Sequence, residues 1–305
     1  MNTSSEFVVR KVESFEELKF LKELLKNEEW ALGRNELRCV FNADPSGFFV
    51  GELGGKKISS ISVLNHGHFA FSSFLVVESS YRGKGYASKT WLAAAASVSK
   101  ECTIGLNAVE NMIATYERYG FKRAWIDREF VISARNTAEV LTGSTQLPPA
   151  ATIKPITEVQ FDALFAYDTA VFGGPRRTFL ETLTSFPESI GFAAVDEKGG
   201  LLGYAMCEKM LDEEKGVRIA PLFADNEQIA RGLLQAVSEA LTSQSPCVDV
   251  QIVLVVSDIN PVAINLVENV LSGKCDFQPV RMFTNGIPAS MNLAKTFAIS
   301  SLDLG

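Results

Sequence analysis

Histidine is almost missing from this chain of 305 residues, which holds only His66 and His68. A His-based metal centre or a Ser-His-Asp triad therefore has few places to form. The two lie close together in Asn65-His66-Gly67-His68-Phe69, with no further ligands at zinc spacing, and read as a pair in a hairpin loop. Cysteine is sparse as well. Cys39, Cys102, Cys207, Cys247 and Cys275 are odd in number, widely spaced and without a Cys-x-x-Cys pair. Neither a disulfide framework nor a zinc site follows, and all five read as buried small hydrophobes. No stretch approaches the roughly 20 apolar residues that span a bilayer, and Met1 to Glu6 lack the basic start and apolar run of a secretory signal. A cytoplasmic protein with no membrane partner is expected. Basic charge is short too: the formal net charge is -7, which argues against a nucleic-acid partner and mildly favours cationic or neutral small substrates.

What is present is an ordinary globular composition, 47% hydrophobic and 21% charged, on a chain long enough for two domains. The chain also begins again halfway. Phe7 to Val12 alternates like a strand, and Ser14-Phe15-Glu16-Glu17-Leu18 opens a helix with Ser14 placed to cap it and Glu17 placed to complete a capping box. Thr152-Ile153-Lys154-Pro155-Ile156, followed by Thr157-Glu158-Val159-Gln160-Phe161, repeats that plan. Each half continues with a helix and a hairpin, turning at Gly54-Gly55 and near Gly199-Gly200. A strand, a helix, a further apolar strand (Cys102 to Leu106; Val248 to Val256), a short helix and a last strand complete each half. This order predicts an α/β (α+β) fold with a mixed sheet flanked by helices. Asn136 to Ala151 has the Gly, Ser, Thr and Pro content of an exposed linker. The expected division is residues 1–140, a linker over 141–151, and 152–305.

One loop carries a chemical signature. The apolar strand Ser73-Phe74-Leu75-Val76-Val77 breaks at Glu78-Ser79-Ser80 and leads through Tyr81-Arg82-Gly83-Lys84-Gly85-Tyr86-Ala87 into an alanine-rich helix. The glycines allow close backbone approach, and the first N–H groups of the helix have no internal acceptor. With the helix dipole, Arg82 and Lys84 this makes an anion site. Neither a Walker loop nor a dinucleotide fingerprint fits the spacing Gly83-Lys84-Gly85-Tyr86-Ala87-Ser88.

These residues resemble the GNAT superfamily, whose signature Arg/Gln-x-x-Gly-x-Gly/Ala is matched by Arg82, Gly85 and Ala87. The resemblance extends to Ile104 through Val109 and to Tyr116-Glu117-Arg118-Tyr119-Gly120-Phe121. In the second half, Val171-Phe172-Gly173 with Arg177, Ala220 to Asp225 and Arg281 to Pro288 are similar to a subfamily with an N-terminal GNAT domain and a divergent second one. The resemblance implies tandem GNAT folds, each a mixed, mostly antiparallel twisted sheet. It implies that the amides of Arg82, Gly83, Lys84, Gly85, Tyr86 and Ala87 hold the pyrophosphate of acetyl-CoA, the cosubstrate. It also implies that the strand Leu75, Val76 and Val77 binds the pantetheine arm and the thioester carbonyl.

Tyr116 is the implied general acid, a phenol of pKa about 10 able to protonate a thiolate, with Tyr119 as its rival. Glu78 and Glu110 are candidate bases, each also readable as a solvated carboxylate. Asn107 is a candidate contact to substrate or pantetheine, or a turn former. Trp30 and Asn35 fall in the segment Glu29 to Asn35, which resembles the family's acceptor loop. The second half has no such cradle: Phe223-Ala224-Asp225-Asn226-Glu227-Gln228-Ile229-Ala230 carries carboxylates and no glycine, and Val267 stands where the acid would be. It is expected to be structural or to line the acceptor site. The implied activity is acetyl transfer to a primary amine of a small molecule or amino acid. A non-catalytic acyl-CoA sensor, or an enzyme acting on a protein or peptide amine, stands as the alternative. Oligomeric state is not legible.

Overall fold

A computed structural model of the chain describes residues 6–305. Met1 to Ser5, most of the opening segment inspected for a leader, lie outside the described residues. The first half runs β1 (Phe7–Lys11), α1 (Lys19–Asn27), α2 (Glu36–Ala43), β2 (Phe48–Leu53), β3 (Lys56–Asn65), β4 (Ala70–Val77), α3 (Tyr86–Ala95), β5 (Ile104–Ala108), α4 (Ile113–Arg118) and β6 (Lys122–Ser133). After α5 (Ala134–Leu141) the plan recurs as β7 (Thr152–Pro155), α6 (Phe161–Phe172), α7 (Arg177–Ser185), β8 (Ile190–Val195), β9 (Leu201–Lys209), β10 (Val217–Ala224), α8 (Glu227–Gln244), β11 (Gln251–Ser257) and α9 (Pro261–Ile264). The chain closes with β12 (Lys274–Phe277), β13 (Val280–Phe283) and β14 (Thr296–Ala298).

All strands join one sheet in the order β1-β2-β3-β4-β5-β13-β6-β11-β10-β9-β8-β7, with β12 on β6 and β14 on β10. Pairing is antiparallel except for β4–β5 and β10–β11. The mixed, mostly antiparallel tandem architecture is therefore present. Its halves are interleaved. β13, from the second half, lies between β5 and β6 of the first, with Arg281 opposite both Asn107 and Trp125. β6 is long enough to leave the first half, and its later residues pair with β11 from Asp127↔Ser257 to Ser133↔Gln251. β11 reads Ile252-Val253-Leu254-Val255-Val256 and is buried throughout that run, as a strand covered on both faces should be.

The helices cover the sheet in three apolar layers. α1, α2, α6 and α7 pack with Phe48, Phe69, Phe71, Phe74, Tyr204 and Phe223 into a core shared by both halves. α3 and α4 cover the other face of the first half, around Trp91, Ile104, Leu106 and Phe121. α8 inserts Ile229, Leu233, Leu234 and Val237 into the corresponding layer of the second half. No helix among the described residues is long and apolar enough to cross a membrane.

Several local expectations are corrected. Ser14 caps nothing with its side chain, because a single 3-10 turn, Phe15–Leu18, intervenes before α1. The carboxylate of Glu17 instead takes the amide of Glu13 at 2.8 Å and pairs with Arg10 and Lys57. Thr157 likewise sits in a 3-10 turn and α6 begins only at Phe161, without a side-chain cap. Residues 136–141 are helical and lie against α8 rather than forming loop. Cys247 is exposed, and Cys102 and Cys275 are half-buried, so only Cys39 and Cys207 behave as core hydrophobes. His66 and His68 do sit in the hairpin loop between β3 and β4.

Candidate active site

The two parallel strand pairs are each hydrogen-bonded at one end and splayed at the other. β4 meets β5 only at Ala70↔Ile104 and Phe71↔Gly105. Beyond that the register of β4 against β3 shifts between Ser60 and Ser62, and Phe74 adopts a φ of 53°, a bulge conformation unusual for an aromatic residue. Leu75, Val76 and Val77 thus continue past the bulge without a partner on the β5 side. Backbone groups left in this way are available to a ligand.

The anion loop stands at the end of that strand. Gly83 and Gly85 have φ of 74° and 80°, and a Cβ built on either would meet nothing within 4 Å. Glycine is required here by backbone conformation and by open approach, not by packing. Gly85 is the N-cap of α3 and offers no side-chain cap, so the first amides of the helix, including those of Tyr86 and Ala87, have no intramolecular acceptor among the described residues. Arg82 is held over the loop by Nε donating to the Val77 carbonyl at 2.9 Å, and its Nη2 pairs with Glu28 at the end of α1. Lys84 donates to the Ser80 carbonyl at 3.1 Å and lies near the Tyr81 ring. The ring of Tyr86 packs on Phe7 with centroids 4.6 Å apart. These features fit a pyrophosphate: free donors, a helix N-terminus and two cations that need only exchange partners.

The remaining sequence candidates separate into two groups. Tyr116, on α4, lies on the α3 side of the sheet against Phe121, centroids 5.8 Å apart, and burial raises its pKa, which keeps it protonated. Tyr119 packs on Trp91 and is more exposed. Glu110 is exposed at the start of the turn before α4. Glu78 pairs with Lys56 at 2.8 Å, and that hydrogen bond holds its carboxyl below the usual range. The opposite face of the sheet carries Trp30, 6.0 Å from Phe74 between ring centroids and poised after Glu29 at a φ of 57°. Asn35 faces the second half: its amide N–H donates to Glu208 at 3.1 Å and its side chain to Glu188 at 3.3 Å. Asn107 has both ends of its amide engaged. Its Oδ1 accepts from Arg281 Nε at 2.9 Å and its Nδ2 donates to the Leu302 carbonyl at 3.0 Å.

Sequence reasoning missed the segment after β14. It crosses the sheet face that carries Trp30 and Asn107. Ser73 of β4 donates to Asp303, Ser301 donates to Glu36 of α2, and His66 Nε2 lies 2.9 Å from the Leu304 carbonyl. Behind it, Arg218 bridges Glu36 at 3.0 Å and Glu129 at 3.1 Å. Desolvation, followed by the negative charge of Glu36, raises both Glu208 and Asp303 to about 7. No periodicity or motif marks residues 299–305. Only tertiary placement brings them to this face of the sheet.

The second half is built on the same plan but is closed. β10 meets β11 only at Val217↔Ile252 and Arg218↔Val253. The gap beyond is filled by the chain itself: β14 pairs with β10 at Leu222↔Ala298 and Phe223↔Thr296, and the Ile299 amide donates to Val255 of β11 at 3.0 Å. At the N-terminus of α8, Asn226 Oδ1 accepts the Ile229 amide at 3.0 Å. Asp225 beside it takes Tyr167 and Lys295, each at 2.8 Å. Val267 is buried. Among the described residues, no group of His, Cys, Asp and Glu could hold a metal ion.

The chain matches two family models, both described as Acetyltransferase (GNAT) domain, over residues 44–123 and 164–298. It is 26% identical over 217 residues to the holothin acyltransferase of Pseudoalteromonas sp. (strain SANK 73390), covering 71% of this chain and 69% of that protein. An uncharacterised protein of Caenorhabditis elegans is also 26% identical, over 75% of each chain. A putative acetyltransferase from Pyrococcus horikoshii has the same fold, with a TM-score of 0.76 at 13% identity over 98% of this chain and 96% of that one. A tandem GNAT protein from the clavulanic acid biosynthesis pathway aligns with a TM-score of 0.62 at 15% identity over 91% of this chain and 97% of the other. With two matched domains and one splayed strand pair in each half, the chain belongs to the GNAT acetyltransferases and is a tandem member of that family.

Proposed function

We propose that the protein is an acetyl-CoA-dependent N-acetyltransferase in which residues 1–140 bind the cosubstrate and residues 152–305, joined through 141–151, complete the acceptor side. The carrying observation is the contrast between the two splayed gaps. Donors at Gly83 to Ala87 are free and Leu75 to Val77 have no partner on the β5 side, whereas the equivalent positions of the second half are occupied by β14 and by Asn226. When bound, acetyl-CoA supplies an activated acetyl thioester. The amides of the loop and the side chains of Arg82 and Lys84 bind its pyrophosphate. The amides after the Phe74 bulge would hold the carbonyl oxygen where negative charge develops. Tyr116, kept protonated by burial, donates its phenolic proton to the leaving sulfur.

A small amine fits the acceptor side better than an extended peptide. Trp30, Asn35 and residues 300–305 roof that face, and Ser301, Asp303 and Leu304 are buried. No observation favours a purely sensory role, since a carbonyl site and a candidate acid are both provided. The test is calorimetric titration with acetyl-CoA, followed by a screen of amines and amino acids read out as free thiol. Binding should be lost in Arg82→Glu/Gly85→Glu, and Tyr116→Phe should lower kcat by about 10²-fold with acetyl-CoA affinity unchanged. Absence of acetyl-CoA binding by the wild-type chain would overturn the proposal.

A further inference from the structure

Glu78 is engaged by Lys56, which holds its carboxyl below the usual range, and Glu110 is exposed in the turn before α4, so neither is set up to receive a proton from an incoming ammonium. On the acceptor face the groups nearest the bulge are Ser73 and its partner. Ser73 immediately precedes Phe74, and its hydroxyl donates to Asp303 Oδ1. Phe71 and Phe74 pack into the shared core with Leu304, while Leu106 and Ala108, on either side of Asn107, pack toward α3 and α4. Asp303 therefore approaches β4 from the side opposite the α3 layer. The groups that bear on it are Glu36 from α2, Glu129 from β6 and Arg218 from β10, with Glu208 of β9 behind Glu36. Four further charged groups, three of them carboxylates, leave this buried pocket with an excess of negative charge and a single guanidinium.

Resting on the acetyltransferase proposed above, we infer that Asp303 is the proton acceptor for the amine and acts through the Ser73 hydroxyl. An N–H proton of the ammonium passes to Ser73 Oγ as the Ser73 proton passes to the Asp303 carboxylate. The freed nitrogen lone pair forms the C–N bond as the thioester C–S bond breaks. The sulfur takes the Tyr116 proton, the second nitrogen proton leaves to solvent, and solvent reprotonates Tyr116. Desolvation and Glu36 raise Asp303 to about 7, so it can accept a proton at neutral pH and release it between turnovers.

Two acceptors distinguish this role from a structural one. n-Butylamine resembles the Lys side chain, whose pKa is about 10.4, and is protonated at pH 7; aniline is already neutral. Asp303→Asn and Ser73→Ala should each cut transfer to n-butylamine by about 10²-fold and leave aniline within a few-fold. Acetyl-CoA affinity by calorimetry and the melting temperature should stay near wild type, and the limb of the n-butylamine pH profile near 7 should vanish. In the ligand-free protein, the 13C carboxyl resonance absent from Asp303→Asn should titrate near pH 7 and move in Ser73→Ala. Equal losses with both amines, or a resonance titrating near the ordinary aspartate value, overturns the inference alone. Failure of the wild-type chain to bind acetyl-CoA, or binding without transfer to any amine, overturns it together with the proposed activity.

Discussion

At the scale of single residues, histidine shows how much burial decides. His66 is one of two histidines read as a loop pair, yet it is fully enclosed between Phe69 and Phe172, while its neighbour His68 is exposed. Its Nε2 lies 2.9 Å from the Leu304 carbonyl, which can only accept, so Nε2 carries the hydrogen of a neutral ring. Burial first, then the positive charge of Arg176, lowers its pKa from 6.5 to about 4. Above pH 6.5 neither folded nor unfolded chain protonates it. Between 6.5 and 4 the unfolded chain binds the proton and the folded chain does not, so stability falls as pH falls across that window, by about 3 kcal/mol in all. Glu208 and Asp303 act in the opposite sense. Raised to about 7, they bind protons in the fold that the unfolded chain has released, so their contribution falls as pH rises. The two trends partly cancel in the wild type. Comparison with His66→Gln isolates the first: urea denaturation should show the stability advantage of the wild type shrinking between pH 6.5 and 4. A constant difference would contradict the buried neutral ring.

At the scale of elements, local chemistry was legible where it is carried by backbone exceptions. Gly83 and Gly85 announce themselves because only glycine enters positive φ freely, and the hairpin at Gly54-Gly55 does so for the same reason, with φ of 59° and 82°. Helix starts were less legible. Ser14 and Thr157 have the side chains of caps, but each precedes or sits in a 3-10 turn whose tertiary packing sets the true helix start several residues later. Asn226 does cap, and this separates α8 from α3, which has no side-chain cap. Asn226→Ala removes the acceptor for the Ile229 amide and should cost about 1 kcal/mol in chemical denaturation without changing acetyl-CoA affinity. Measurable weakening of acetyl-CoA binding in that variant would place cosubstrate at the wrong helix. The acceptor side was illegible for a different reason. Asp303 lies more than two hundred residues from Ser73 and from Glu36 along the chain, and no spacing rule brings the three together.

At the scale of the whole molecule, the sequence reads as two consecutive units because each half repeats the same order of strands and helices. Strand partners are another matter, since period and composition say which residues form a strand but not which edge it joins. Here the last strands cross over. β13 fills the space between β5 and β6, and Arg281 on it, 1% exposed, is held by Asp127 and Asn107 of the first half. β6 in turn supplies the antiparallel neighbour of β11. A fragment ending at residue 140 would leave β5 with only its two-residue pairing to β4, strip β6 of its partners β11, β12 and β13, and leave Asp127 in an apolar environment without its guanidinium. Removing one partner of such a buried pair costs about 3–5 kcal/mol, comparable to the whole stability of many domains. Residues 1–140 alone are therefore expected to be aggregated or unfolded even though they contain the entire loop to which we assign acetyl-CoA. The full chain should unfold in one transition, and co-expressed fragments 1–140 and 141–305 should recover acetyl-CoA binding only as a complex. Circular dichroism and size-exclusion chromatography of the three samples check this, and a folded, monomeric fragment 1–140 that binds acetyl-CoA would refute the dependence of the loop's half on β13.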